Sequence, residues 1–240
     1  MEEEFLTKKQ RRDLKRQQKL AKKERTATSA RKQKLGIAAA VAVALIAVGA
    51  LLVWSGRHND DEVTVTDTYE DPYQGKAEAA VVVQEYSDFQ CPACAAAQTS
   101  VTTVMDKYSD QVKLVFQDFP LNSIHANAEN SALAAQCAFA QDNFWPYHDL
   151  LYTRQSEWSS LSKPEAINIF KSFADQLGLD VGIFTSCLDN KDPAGSVDED
   201  IREADKQNIN STPTFFVNGE RLVGGKDLLT AVEEALSIVK

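Results

Sequence analysis

Cysteine and histidine are scarce in this chain, which has four cysteines and three histidines among 240 residues. A structural zinc site usually takes two closely spaced pairs of ligands, and here only Cys91 and Cys94 lie close together. The sequence therefore argues against structural zinc, and we expect no metal. The histidines, His58, His125 and His148, are isolated, and each is expected to be a packing or surface residue.

Most of the chain has few positively charged residues and is acidic. Residues 57–240 carry 13 Lys or Arg against 30 Asp or Glu, a net charge of −17, whereas residues 1–34 carry 13 against 5, a net charge of +8. The acidic part argues against a nucleic-acid partner. The basic segment could in principle be a nucleic-acid arm. Because it directly precedes an apolar stretch, it is interpreted instead as a topology determinant that contacts anionic lipid headgroups.

Charge is absent altogether from residues 35–54, "LGIAAAVAVALIAVGALLVW". A helix of this length, at about 1.5 Å per residue, spans about 30 Å, the thickness of the hydrocarbon core of a bilayer. The apolar region of a cleaved signal peptide is roughly 7 to 15 residues long. The segment is therefore predicted to be an uncleaved, single-pass anchor in the cell membrane.

The excess of Lys and Arg before this anchor holds the N-terminus in the cytoplasm. The predicted domain plan is a basic cytoplasmic segment (1–34), a transmembrane anchor (35–54), an extracytoplasmic linker (55–76) and a folded domain (77–240). All four cysteines then lie outside the cytoplasm, where disulfides persist. Cys137 and Cys187 are either a structural disulfide, which is the favoured interpretation, or two buried thiols. A bridge across so long a loop would stabilise the fold by on the order of 4 kcal/mol.

The hydrophobic pattern predicts an α/β fold. β-Branched runs predict strands at 79–86 and 112–119 with a helix between them, which is a right-handed crossover unit with parallel strands. A helical region follows, and "TFFV" with the Asn218-Gly219 turn then predicts a hairpin. The helices after the second strand are predicted at 126–141, 144–152, 162–178, 181–189 and 194–208, with a last one at 226–239.

The stretch "SDFQCPACAAA" places Cys91 where a strand turns into a helix, since Pro92 suits the first helical position. Unpaired N–H groups and the helix dipole stabilise negative charge there, which lowers the pKa of a thiol from about 8.5. Cys91 is therefore the candidate nucleophile and Cys94 the candidate resolving thiol.

Three motifs in this order, "VVVQEYSDFQCPAC", "FWPYHDLLY" and "INSTPTFFVNGERLVGG", resemble those of DsbA-type thiol-disulfide oxidoreductases of the thioredoxin superfamily. With its predicted anchor, the chain resembles the membrane-anchored, BdbD-like members. The resemblance covers roughly residues 70–240. It implies a thioredoxin fold, with a central mixed sheet and an inserted helical subdomain at about 122–208. The second motif, "FWPYHDLLY", is interpreted as core or groove wall and receives no catalytic role.

The resemblance also implies site residues. It implies a cis bond between Thr212 and Pro213, with Thr212 holding the extended chain of a substrate. It places Glu85 beneath the cysteines, where it could relay the proton of Cys94. The alternative for Glu85 is an exposed position near the end of its strand. Some members of the family carry a second disulfide across the insertion, which supports pairing Cys137 with Cys187.

The implied function is formation of disulfides in exported proteins by the Cys91–Cys94 pair, without any other cofactor. The implied partners are reduced or unfolded exported proteins and an integral membrane, quinone-linked thiol oxidase that reoxidises the enzyme. Ala93 stands where the best-known member has histidine, so we expect a weaker oxidant. A reductase or isomerase of the same fold is the first alternative, although no dimerisation module is present and a monomer is expected. A non-catalytic module that binds unfolded chains is the second.

Overall fold

The computed structural model of the protein describes residues 71–239. The predicted basic segment, the predicted anchor and most of the predicted linker lie outside these residues. All described residues belong to one structural unit, Val65–Lys240. Within residues 71–239, no helix is both long enough and apolar enough to cross a bilayer.

A five-stranded mixed sheet forms the centre of the domain, in the order β1-β3-β2-β4-β5. Strands β2 and β3 are parallel, and every other neighbouring pair is antiparallel. The central strand β2 is buried along almost its whole length, which explains its β-branched run "VVV". The strands are β1 (Tyr73–Gly75), β2 (Val81–Ser87), β3 (Val112–Asp118), β4 (Thr214–Val217) and β5 (Glu220–Val223).

Helix α1 (Pro92–Tyr108) connects β2 to β3 and completes the predicted crossover unit. It packs one apolar face on the sheet together with the last helix, α8 (Leu228–Ile238). The chain approaches α1 closely at Gly225, where an added Cβ would lie 2.6 Å from the Cβ of Ala97. Glycine is needed there because a side chain would collide with the helix that carries Cys94.

Six helices stand between β3 and β4 and form the predicted insertion, with a core rich in aromatic side chains. Trp158, Phe170 and Phe184 are fully buried in this core. Ser162 and Glu165 form a capping box at the start of the helix that begins at Lys163. The six helices are α2 (Ala128–Phe139), α3 (Phe144–Thr153), α4 (Gln155–Trp158), α5 (Lys163–Gln176), α6 (Val181–Asn190) and α7 (Ala194–Lys206).

Two elements differ from the sequence prediction. The linker was predicted to extend to residue 76, but Tyr73–Gly75 is strand β1, paired with Val115, Leu114 and Lys113 of β3. A three-residue strand is too short to show a period of two, so only its pairing reveals it. The short helix α4 was also not predicted, because a single turn carries no helical period. The expected fold class, a mixed sheet with a helical insertion, is confirmed for the described residues.

Candidate active site

Cys91 is the N-cap residue of α1, and Pro92 occupies the first helical turn. Cys91 is 8% exposed and Cys94 is fully buried, and both are free thiols in this structure. The amides of Cys94 and Ala95 donate to the Cys91 carbonyl oxygen at 3.1 and 3.2 Å. Cys91 therefore lies at the entrance of the site with exposed neighbours, while Cys94 lies behind it in the interior.

The environment favours a thiolate on Cys91. Its pKa is lowered to about 5, chiefly because the Cys94 thiol donates a hydrogen bond to it; burial opposes this effect, and Thr212 and the backbone N–H groups of Cys94 and Ala93 support it. Burial and the neighbouring Cys91 raise the pKa of Cys94 above its ordinary value. The pair thus combines a nucleophile that is ionised at neutral pH with a partner that keeps its proton.

The backbone N–H of Ala93 is among the groups that lower the pKa of Cys91. The side chain of Ala93 offers neither a hydrogen-bond donor nor a positive charge. The stabilisation of the Cys91 thiolate at this position therefore comes from the helix N-terminus.

The Thr212-Pro213 peptide bond is cis, as the resemblance implied, and leads directly into β4. The Cys91 Sγ lies 3.6 Å from the Thr212 carbonyl oxygen, to which Cys91 donates when it is a protonated thiol. Thr212 is partly exposed, whereas Pro213 is buried. The structure therefore brings the predicted residues of the third motif against the predicted nucleophile.

Glu85 lies within β2 and is fully buried, so the alternative of an exposed position is wrong. Its Oε1 accepts hydrogen bonds from Ser87 Oγ and Gln98 Nε2, both at 2.9 Å. Burial raises the pKa of this carboxyl, although the charge of His148 and the two hydrogen bonds partly oppose the effect. A buried carboxyl with a raised pKa is a group that can hold a proton at neutral pH.

Cys137 and Cys187 form a disulfide that joins α2 to α6. The four cysteines therefore divide into a bridge inside the helical insertion and a free pair at the start of α1. In residues 71–239, no group of three or more His, Cys, Asp or Glu side chains is arranged to hold a metal ion.

Sequence reasoning missed the side chains that fasten the active-site loop to the insertion. Gln155 Nε2 donates to the carbonyl oxygens of Phe89 and Cys91, at 2.8 and 3.1 Å. Gln90 donates to the Ser159 carbonyl oxygen at 2.6 Å and accepts from the Asn127 amide at 2.6 Å. Isolated glutamines leave no periodic signal, so nothing in the sequence identified them.

His58 lies outside the described residues, whereas His125 and His148 lie close to the site. His125 Nδ1 is 2.7 Å from Asp88 Oδ2, in the loop between β2 and α1. His148 is buried on α3, with its ring 4.9 Å from that of Tyr152 and 5.3 Å from that of Phe116. His148 is a buried packing residue, as expected. The sequence did not predict its electrostatic effect on the pKa of Glu85.

A sheet of this order with a cysteine pair at the start of its first helix defines a class of protein fold, the thioredoxin-like fold. The family model described as "Thioredoxin" matches residues 67–235, and the chain belongs to that family. Among solved structures, BdbD from Bacillus subtilis, in its oxidised form, matches with a TM-score of 0.62 at 23% identity, covering 70% of this chain and 91% of that one. Wolbachia pipientis α-DsbA1 matches with a TM-score of 0.61 at 18% identity, covering 71% and 95%. The domain therefore has the fold of DsbA- and BdbD-type thiol-disulfide oxidoreductases.

Among proteins with similar sequences, several are named as Na(+)/H(+) antiporters. The chain is 36% identical over 161 residues to "Na(+)/H(+) antiporter NhaA 3" of Salinispora tropica, covering 67% of this chain and 24% of that protein. It is 34% identical over 167 residues to "Na(+)/H(+) antiporter NhaA" of Herminiimonas arsenicoxydans, covering 69% and 25%. The chain thus spans about a quarter of the length of these relatives.

Proposed function

We propose that this protein is a thiol-disulfide oxidase that forms disulfide bonds in exported proteins through the Cys91–Cys94 pair. One observation carries the proposal: Cys91 caps α1 with a lowered pKa, facing the cis Thr212-Pro213 bond. Stabilising the thiolate stabilises the reduced pair, and a pair that is stable when reduced is oxidising as a disulfide.

The cycle starts from the disulfide form. A substrate thiolate attacks Cys91, the bond between Cys91 and Cys94 breaks, and Cys94 takes the electron pair and a proton. A mixed disulfide now joins the substrate to Cys91. The second substrate thiolate attacks the substrate sulfur of that bond, and Cys91 leaves as a thiolate. The substrate has lost two electrons, which the cysteine pair has gained.

A disulfide reductase would use the same residues in the opposite direction. It would need a less stabilised Cys91 thiolate, so the lowered pKa of Cys91 favours the oxidase. Because the Ala93 side chain adds neither charge nor donor, we expect an oxidant weaker than DsbA, whose potential is about −120 mV.

The proposed location follows from the sequence. Residues 35–54 would anchor the chain in the cell membrane, with residues 1–34 in the cytoplasm and the thioredoxin-like domain outside it. The substrates would be reduced proteins emerging across the membrane. Each turnover leaves the pair reduced, so the proposal includes an integral membrane, quinone-linked thiol oxidase as the reoxidising partner. We propose no ion transport, because the chain spans about a quarter of its antiporter-named relatives.

The test uses the purified full-length protein in its oxidised form, mixed with a reduced and unfolded protein that has native disulfides. We expect loss of substrate thiols in proportion to the oxidised protein added. Cys94→Ser, which keeps the nucleophile, should accumulate a mixed disulfide at Cys91 once charged with a substrate disulfide, whereas its matched control Cys91→Ser should accumulate none. Wild-type protein that removes no thiols above the buffer rate would contradict the proposal. A Cys91→Ala protein that still complements a deletion strain would favour the non-catalytic binding module.

A further inference from the structure

Tyr152, on helix α3 of the insertion, places its hydroxyl in the interior of the site, next to Ser87. Tyr152 is 6% exposed, and its hydroxyl lies 2.8 Å from Ser87 Oγ. Ser87 has one hydroxyl proton, which it donates to Glu85 Oε1 at 2.9 Å. Tyr152 must therefore be the donor to Ser87. The three side chains form a continuous hydrogen-bonded chain from the insertion to the central strand.

This chain lies next to Cys94. Burial raises the pKa of Cys94 and Ser87 partly opposes this effect, and burial together with the charges of Cys94 and Glu85 raises the pKa of Tyr152. Tyr152 therefore keeps its proton and remains a donor. From α1, Gln98 Nε2 donates both to Glu85 Oε1 at 2.9 Å and to the Cys94 carbonyl oxygen at 3.5 Å. Side chains from three elements thus converge on Glu85 and Cys94.

Among the described residues, Glu85 is also influenced by the titratable side chain of His148. Its register partners on β3 and β4 are Phe116 and Phe215, which cannot titrate. From α3, His148 acts on Glu85 by its charge, and His148 Nδ1 lies 2.9 Å from Asp149 Oδ1. Among the described residues, Glu85 Oε2 and His148 Nε2 are both buried without a hydrogen-bond partner. The donors of Glu85 therefore reach one carboxyl oxygen, Oε1, and leave Oε2 free to carry a proton.

We propose that Tyr152 is a positioning residue for the proton of Cys94: it holds the Ser87 hydroxyl between Glu85 and Cys94, and the proton passes through Ser87. The inference rests on the proposed function. When a substrate thiolate attacks Cys91, the disulfide breaks and the electron pair goes to Cys94. The protonated Glu85 carboxyl gives its proton to the Ser87 oxygen while Ser87 gives its own proton to the Cys94 sulfur. The Ser87 hydroxyl then donates to the Glu85 carboxylate, as in this structure with free thiols, and the Glu85 proton is later replaced from solvent. The reverse transfer accompanies attack by Cys94.

The helix supplies a matched control. Tyr147 also lies on α3, is fully buried, and donates its hydroxyl to the Phe170 carbonyl oxygen at 2.8 Å, inside the core of the insertion. Tyr147→Phe and Tyr152→Phe each remove one buried hydroxyl and keep the ring. They differ only in whether that hydroxyl reaches Ser87.

The experiment measures how fast glutathione opens the Cys91–Cys94 disulfide of the full-length oxidised protein between pH 4 and 9, by acid quenching and alkylation. Rates are divided by the fraction of glutathione thiolate. We expect Tyr152→Phe to lower this rate by about two- to tenfold and to change its pH dependence, as loss of one positioning hydrogen bond does. Ser87→Ala, which removes the middle of the chain, should change it further in the same direction. Tyr147→Phe should keep the wild-type profile, and the Cys91 thiolate absorbance at 240 nm should titrate alike in both tyrosine variants.

Two results would overturn the inference while leaving the proposed function intact. One is a Tyr152→Phe protein with the wild-type pH profile. The other is a pH-independent loss of the same size in both tyrosine variants, which would show a structural role only. In a Glu85→Gln background, Tyr152→Phe should cost nothing more, and an additive loss would contradict a shared path. Wild-type disulfide that glutathione does not open would overturn the proposed function and the inference together.

Discussion

The lowered pKa of Cys91 predicts how the stability of the protein depends on pH and redox state. In the reduced protein this pKa falls from 9.0 to about 5, whereas the oxidised protein has no ionisable Cys91. A group whose pKa is lowered by folding stabilises the fold fully above its unfolded-state pKa. That contribution is lost as pH falls through the folded-state value. The relevant window therefore runs from about pH 5 upward.

Each pH unit in this window is worth about 1.4 kcal/mol of differential stability. Between pH 5 and pH 7 the reduced protein should thus gain about 2.3 kcal/mol in free energy of unfolding relative to the oxidised protein, because Cys91 is still half protonated at pH 5. Below about pH 4 the difference should be flat. Because the pKa of Cys94 is raised in the folded state, ionisation of unfolded Cys94 should reverse the trend above about pH 8.5.

The assay is urea unfolding of the reduced and oxidised full-length protein at half-unit steps from pH 4.5 to 8, alongside thiolate absorbance at 240 nm. Reduced Cys91→Ser is the matched control, and its stability should follow the oxidised protein across the window. A reduced-minus-oxidised difference that stays flat from pH 5 to 8, or a thiolate midpoint at 8 to 9, would refute the reasoning.

Three further predictions follow from the buried residues. Glu85→Gln, which removes the ionisable group, should slow opening of the disulfide and flatten its pH dependence; an unchanged reduction potential and pH profile would exclude the relay. Replacing Cys137 and Cys187 together by alanine should lower the free energy of unfolding by about 4 kcal/mol and leave the Cys91 thiolate midpoint in place; a cost under about 1 kcal/mol would contradict a structural role. Phe170→Ala should lower the free energy of unfolding by about 3 to 5 kcal/mol, because the ring is fully buried, whereas Ile124→Ala, at a position 71% exposed, should lower it by under about 0.5 kcal/mol. Equal losses in urea unfolding would refute the assigned core.

The sequence alone predicted those features that have a strong local signal. The β-branched run predicted as a strand at 79–86 marked the central strand, which spans Val81–Ser87. Pro92 marked the start of α1, which placed Cys91 at the helix N-terminus. The Asn218-Gly219 turn marked the hairpin, and both of its residues have positive φ angles. Each of these depends on a few neighbouring residues.

The environment of Cys94 could not be predicted in the same way. The contacts of Ser87 with Tyr152 join residues 65 positions apart, and those of Gln155 with Phe89 join residues 66 apart. Single polar side chains carry no period, and their partners are decided by how the insertion packs on the sheet. The motif "FWPYHDLLY" was interpreted as a wall, yet it supplies Tyr152 to the hydrogen-bonded chain beneath the active site.

The reduction potential of the Cys91–Cys94 pair tests the central claim most directly. It is measured by equilibrating the full-length protein with glutathione buffers at pH 7 and counting free thiols by alkylation, with a Cys91→Ser, Cys94→Ser double variant as the blank. A disulfide donor should give a potential above roughly −200 mV, because the reduced pair is stabilised as a Cys91 thiolate. A value near that of thioredoxin, about −270 mV, would contradict the claim and identify the protein as a reductase.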